Sequence, residues 1–242
     1  TMVNETVIAQ TFNKDLANEY GKICGNYSLW SNLTIFWGCG TNLHRSPYNA
    51  RNHEYYSEDA VLTSGQAVAF ISGGKEYGVI IAPKHLAFND TEINRTGVSV
   101  FMTEQQAREN ELRGTQAAIE DAGALGVMTA FNRVGITATN AHTGLLKNIL
   151  RGEWGFKGLE SQDFIMNPNY AVLKEYALNG GTMTTFTGEN TMAAVSEKFA
   201  YWTTENVGQD TELMSAIKQA MTWQAYALAN SNALDGMASS TR

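Results

Sequence analysis

Two hydrophobic rhythms alternate along this chain. Short continuous apolar runs, closed by glycine or by a polar cluster, alternate with longer stretches whose apolar residues recur every three or four positions. Residues 34–40, Thr-Ile-Phe-Trp-Gly-Cys-Gly, are such a run and predict a buried parallel strand. The runs at 78–83 (Gly-Val-Ile-Ile-Ala-Pro) and 125–131 (Leu-Gly-Val-Met-Thr-Ala-Phe) predict two more, and 182–186 another. Helical period predicts helices over 13–24, 62–74, 103–122, 140–152, 169–178 and 211–230. Thr103 with Gln106 makes a capping box, and Asn140 and Gly152 read as the start and stop of their helix.

Between the fourth helix and the fifth lies Gly155-Phe-Lys-Gly-Leu-Glu-Ser-Gln-Asp163-Phe164, a short strand ending on a carboxylate. Repeated strand–helix units predict an α/β fold with a parallel sheet. A (β/α)8 TIM-type barrel is favoured over a doubly wound sheet for two reasons. No Gly-x-Gly-x-x-Gly turn opens a helix, and polar residues gather at the C-terminal ends of several different strands. Five strands are clear, and Val7-Ile-Ala-Gln-Thr supplies a sixth, so the barrel lacks its first strand or strands, or hides some in 191–204. The expected organisation is one partial barrel domain over 1–235 and a polar tail at 236–242.

Composition narrows the function classes. At 242 residues with 43% hydrophobic and 17% charged positions, the chain can bury a full core. Its net charge of −7 argues against nucleic acid, whose phosphates demand a basic face. No apolar run is long enough to span a bilayer, and the first residues do not resemble a signal peptide, so the expectation is a cytoplasmic protein. Two cysteines, Cys24 and Cys39, read as buried thiols in a reducing compartment rather than a disulfide framework. The five Asn-x-Ser/Thr triplets, at Asn4, Asn26, Asn32, Asn89 and Asn94, read as incidental.

Candidate chemistry sits at four strand ends. The long loop after Gly40 carries His44, Arg45, Arg51, His53, Glu54, Glu58 and Asp59. Loops of that length in compact domains are usually functional, and Arg51 and Glu54 are candidates to bind ligand hydroxyls, against an internal salt-bridge network that folds the loop. Lys84-His85 places two donors at the next strand end, suited to a hydroxyl-rich ligand because charge-assisted hydrogen bonds are strong. Phe131 and Phe164 offer flat faces, and Met128 reads as pocket wall or core. Asp163, at its strand's C-terminal end, is the leading candidate nucleophile. The spacing of His44, His53 and His142 matches no metal motif, so neither a metal nor a cofactor is expected.

Together these segments resemble glycoside hydrolase family 3, the β-glucosidase family. Asn42-Leu-His-Arg-Ser-Pro-Tyr-Asn-Ala-Arg51-Asn-His-Glu-Tyr-Tyr-Ser-Glu-Asp59 is similar to that family's arginine loop. Lys84-His85 with Asn89-Asp90 is similar to its lysine–histidine motif, and Arg151-Gly-Glu-Trp-Gly-Phe-Lys-Gly158 through Asp163-Phe164 to its nucleophile segment. The resemblance implies retaining hydrolysis of a β-glucoside or related oligosaccharide, with Asp163 as nucleophile. Arg51, Lys84 and His85 would hold sugar hydroxyls, Met128 and Phe131 would line the subsite, and Phe164 would stack beside the nucleophile. Lys84 and Arg51 are then expected to favour the ionised form of Asp163.

The departures are equally informative. The family's first-strand Asp-Gly motif has no match before Val7, and the sandwich domain that usually supplies its acid/base is absent. Glu160-Ser-Gln replaces apolar or small residues in the nucleophile strand, so Glu160 must find a partner or raise its own pKa. The chain resembles the last part of a member with inverted domain order. The expectation is therefore an isolated chain of little activity that pairs with a complementary chain or with itself. The alternative from a different class is a non-catalytic sugar-binding or structural remnant. An aldolase-like barrel using Lys84 as a Schiff base is a third, minor reading.

Overall fold

The computed structural model describes residues 2–164, 172–185, 200 and 202–234. Four strands, β1 (Ile35–Gly40), β2 (Ile80–Leu86), β4 (Gly126–Thr129) and β7 (Leu159–Gln162), form one sheet in the order β1-β2-β4-β7. Every neighbouring pair is parallel. Ile35 lies opposite Ile80, Lys84 opposite Met128, and Thr129 opposite Gln162. Parallel registration brings the C-terminal ends of all four strands to one edge, which positions the polar clusters of the sequence together. A smaller sheet of β3 (Ser99–Val100), β5 (Arg133–Val134) and β6 (Thr137–Ala138) lies in the loops beyond that edge.

Helices supply the crossovers. α2 (Lys14–Trp30) precedes β1 and α3 (Ala60–Lys75) precedes β2. The turn pair α4 (Glu104–Gln106) and α5 (Arg113–Glu120) precedes β4, and a π-helix (Gly144–Glu153) precedes β7. The core fills the space between these helices and the sheet, with Ala67, Phe70, Ile71, Ile81, Val127, Leu146 and Leu150 all buried. Burying a side chain of the Leu or Phe class contributes about 1.5–3 kcal/mol each. α2 and α3 pack tightly because Gly21 faces the carbonyl of Phe70 and Gly73 faces that of Asn18, where a Cβ would overlap the oxygen.

Several elements differ from the sequence expectation. Val7-Ile-Ala-Gln-Thr is not a strand: α1 (Glu5–Ala9) is a short helix capped by the Asn4 side chain on Val7 N–H. Its Ile8 and Ala9 are buried, so one apolar side per turn, not alternation, explains the run. The helix expected over 103–122 starts at the Thr103 cap as read, but a π-helical turn (Ala107–Glu111) interrupts it and turns Glu111 inward. Asn140 caps nothing; its amide donates to Gln162 Oε1 at 2.6 Å, while Leu145 N–H is received by His142 Nδ1. The helix expected over 169–178 runs Leu173–Leu178 as α6, and residues 169–171 lie outside the described residues. Of the strand expected at 182–186, a parallel bridge between Ser161 and Met183 is seen, and Phe186 lies outside the described residues. So do 191–199 and 201 of the stretch suspected of hiding strands, and the tail from 235. The chain closes on α7 (Thr204–Gln209) and α8 (Thr211–Ala229). Cys24 and Cys39 are both buried free thiols.

Candidate active site

The C-terminal edge of the sheet gathers a dense network of charge. Arg51 enters from the long β1–α3 loop, where a 3-10 turn (Asn52–Glu54) brings Glu54 back onto it. Arg51 Nε donates to Glu54 Oε2 at 2.6 Å, and Lys84 Nζ, from the end of β2, lies 2.6 Å from Glu54 Oε1. One carboxylate therefore fixes both cations. Burial opposes ionisation of Glu54, but Arg51 and Lys84 outweigh it and lower its pKa to about 2.

His85, the next residue of β2, is buried. The Asn42 side chain clamps its backbone from both sides, donating to His85 C=O and accepting from His85 N–H, each at 2.9 Å. Its Nε2 lies 3.2 Å from Arg51 Nη2 and 3.5 Å from Asp163 Oδ2. Burial, reinforced by Arg51, Lys84 and Arg95, depresses its pKa well below the usual value, so the imidazole is neutral.

Asp163 stands one residue beyond β7. Its N–H donates to Thr129 C=O at 3.2 Å, and its Oδ1 accepts from Phe164 N–H at 2.8 Å. Burial raises its pKa, against the pull of the Phe164 amide, Arg95, Arg51 and Lys84. Lys84 and Arg51 do favour the ionised form, as expected, but burial is the larger effect and the net direction is upward.

The remaining expected residues are placed as follows. Met128 is buried on β4 between Lys84 of β2 and Ser161 of β7, forming the wall between the two strand ends. Phe131 lies just past β4 with the Arg95 guanidinium 4.5 Å from its ring centroid. Phe164 follows Asp163 and is 45% exposed, leaving a face open to solvent. Asp59 is the N-cap of α3, accepting from Leu62 N–H, and Glu58 takes the hydroxyl of Ser57. The histidines outside the network have local roles: His44 Nε2 contacts Tyr55 C=O, and His142 receives the Leu145 amide. No group of three His, Cys, Asp or Glu converges as metal ligands among the described residues.

Sequence reasoning gave no role to four contributors, although Asn89 stands within the lysine–histidine motif. Glu92 lies three residues after Asn89 and Arg95 three after Glu92. Glu92 takes Arg95 Nη1 at 2.7 Å and Asn89 Nδ2 at 3.0 Å, and lies 3.5 Å from Arg51 Nη1. That regular spacing of amide, acid and base was the available signal. The fourth, Glu5 of α1, takes the Gly40 N–H on both carboxylate oxygens, at 3.1 and 2.9 Å. Burial raises its pKa well above the ordinary value despite that bond and nearby Lys84.

An acid, a neutral imidazole and three cations gathered at one strand-end edge match the motifs that suggested a glycosidase, and comparison settles the family. Residues 2–197 match the glycosyl hydrolase family 3 N terminal domain. The chain belongs to glycoside hydrolase family 3. Among its relatives is a β-glucosidase of Ruminococcus albus, 36% identical over 169 residues, covering 70% of this chain and 18% of that protein. Another is a probable β-glucosidase J of Emericella nidulans, 35% identical over 159 residues, covering 66% of this chain and 19% of that one. Among solved structures, β-glucosidase 3B of Thermotoga neapolitana in complex with α-D-glucose superposes with a TM-score of 0.88 at 26% identity. That match covers 100% of this chain and 33% of the structure. The family 3 chain described here thus spans about a fifth of the length of its curated relatives.

Proposed function

We propose that this chain carries the nucleophile side of a retaining β-glucosidase site. The observation behind this reading is Asp163 at a strand end, with His85 3.5 Å away and Arg51, Lys84 and Arg95 acting on its charge. A glucoside would seat its hydroxyls on Arg51, Lys84 and His85, beside Met128 and Phe131, with Phe164 against the ring. Asp163 in its ionised form attacks the anomeric carbon as the aglycone leaves, giving a glycosyl ester that water then hydrolyses with retention. The acid that protonates the leaving oxygen, and later activates the water, is supplied by a further domain or a partner chain beyond residues 1–242. The Thermotoga neapolitana β-glucosidase 3B is in complex with α-D-glucose, which supports a sugar as the ligand class.

The partner we propose is a complementary chain or a second copy of this one. Leu16, Ile23, Tyr27 and Trp30 lie at helical spacing on α2 and are all exposed, an apolar stripe suited to burial against another surface.

The test is an activated aryl β-glucoside, whose leaving group departs without an acid in the first step. The expected result is a burst of phenolate and a trapped adduct on Asp163, both lost in Asp163→Asn. No burst, no adduct and no difference in Asp163→Asn would replace this reading with a non-catalytic sugar-binding remnant.

A further inference from the structure

We propose that Tyr55 is a positioning residue that locks His85 in the tautomer carrying its proton on Nε2, so that the imidazole presents an N–H towards Asp163 and the sugar beside it. The orientation towards a sugar rests on the function proposed above; the tautomer does not.

The assignment follows from counting donors and acceptors outward from Glu92. An ionised carboxylate only accepts, so the Asn89 atom 3.0 Å from Glu92 Oε1 is the amide nitrogen, as placed. The same nitrogen donates its second hydrogen to the Tyr55 oxygen at 2.9 Å. Turning the amide over would give the Tyr55 hydroxyl an acceptor in Asn89 Oδ1, but would press that oxygen against the Glu92 carboxylate. With the amide held, the Tyr55 O–H points to the other atom near it, His85 Nδ1 at 3.1 Å. A nitrogen that accepts carries no hydrogen, so the single proton of a neutral imidazole sits on Nε2.

The opposite tautomer has one contact in its favour. Arg51 Nη2 lies 3.2 Å from Nε2 and can donate to it only if that nitrogen is bare. Two costs weigh against this. Tyr55 is fully buried, so a proton on Nδ1 would strand its O–H without an acceptor. A bare Nε2 would also set its lone pair against Asp163 Oδ2, 3.5 Å away. With Nε2 protonated, that Arg51 N–H must turn away from it; Arg51 tolerates this because its Nε still holds Glu54 Oε2 at 2.6 Å and its side chain is 19% exposed, so the displaced N–H can reach water. The edge-on approach of the Tyr55 and His85 rings, at 87°, completes the seat.

The decisive measurement is two-dimensional NMR of the imidazole nitrogens in the full 242-residue chain at neutral pH, with the His85 signals identified by their loss in His85→Gln. The cross-peak pattern separates the two neutral tautomers and the imidazolium. His85 should show the Nε2–H form in excess by roughly tenfold or more. Tyr55→Phe keeps the ring and removes the hydroxyl; it should shift His85 substantially towards Nδ1–H while leaving His44, His53 and His142 unchanged. Glu92→Gln, which frees the Asn89 amide to turn and accept the Tyr55 proton, should shift it the same way and tests the relay without touching Tyr55. A wild-type His85 in the Nδ1–H or imidazolium form overturns the proposal. So does an Nε2–H pattern that persists in whichever of the two variants folds. Neither readout depends on glycoside hydrolysis, so the tautomer stands or falls separately from the assignment of Asp163.

Discussion

Glu160 gives the sharpest test of the physical reasoning, because it is a carboxyl in a place built for an apolar residue. It lies on β7 opposite Val127 and is fully buried, and neither carboxyl oxygen has a hydrogen-bond partner. Burial raises its pKa from 4.5 to about 7, with Tyr176, Arg151 and Thr129 offsetting only part of the cost. Holding the ionised form there costs about 3 kcal/mol relative to the unfolded chain. The sign follows from linkage. Below pH 4.5 both states are protonated and no penalty exists. Between pH 4.5 and about 7 the unfolded chain releases its proton first, so stability falls as pH rises, and above about 7 the loss is complete. Glu160→Gln cannot ionise and Glu160→Val restores an apolar side chain, so both should remove this slope. The assay is urea unfolding at a series of pH values from acid to mildly alkaline, read as the difference between wild type and each variant, which cancels the other titrating groups. The variants should gain about 3 kcal/mol on wild type across that range. Parallel stability–pH curves for wild type and Glu160→Gln would refute the claim that Glu160 is buried without adequate compensation.

Three further outcomes are expected. Gly21→Ala drives a methyl group into the Phe70 carbonyl between α2 and α3, and should cost about 1–3 kcal/mol or more in urea unfolding. Arg95→Met removes a cation that pulls the Asp163 pKa down, so Asp163 should titrate at still higher pH, read from its carboxyl carbon by NMR or from the acid limb of the aryl-glucoside burst. Replacing Tyr27 and Trp30 together with glutamate should abolish concentration-dependent association in sedimentation velocity while preserving the circular dichroism of the fold, if the α2 stripe is the contact surface.

Much of the architecture was legible because periodicity is a local property. The runs around Phe36, Ile81 and Val127 are bounded by glycine or polar clusters, and α2, α3 and α8 keep apolar residues every three or four positions. The errors fall where local pattern underdetermines geometry. Val7-Ile8 reads as extended by composition, yet the Asn4 cap and the buried Ile8-Ala9 side make it a helical turn. The π-helical turn at 107–111 leaves the apolar rhythm almost intact, so sequence alone gives one uninterrupted helix. The two-residue strands β3, β5 and β6 are too short to carry any period. In the site, position at a strand end was enough to nominate Arg51, Lys84, His85 and Asp163. Pairings such as Tyr55 with His85, or Arg95 over Phe131, join residues some thirty or more positions apart, and no spacing encodes them.

Those unread pairings decide the electrostatics of the pocket. Arg51, Lys84 and Arg95 all favour the ionised form of Asp163, the first two as the sequence led one to expect. Burial outweighs them and raises its pKa, and the same cations are shared: Glu54 holds Arg51 and Lys84, while Glu92 holds Arg95 and approaches Arg51. Two carboxylates thus compete with Asp163 for the same cations. The arrangement keeps the cations fixed beside Asp163 instead of collapsed on it, and leaves their remaining donor hydrogens for other acceptors. A hydroxyl-rich ligand that takes up those hydrogens also expels water and weakens the screening between Asp163 and the cations around it. Ligand binding and ionisation of Asp163 are then opposed by desolvation and favoured by strengthened charge. Which term prevails sets whether the Asp163 pKa falls or rises when a sugar such as glucose binds. Immobile cations in a dry site favour the fall, and a proton released on binding, measured by calorimetry in buffers of different ionisation enthalpy, is the expected sign.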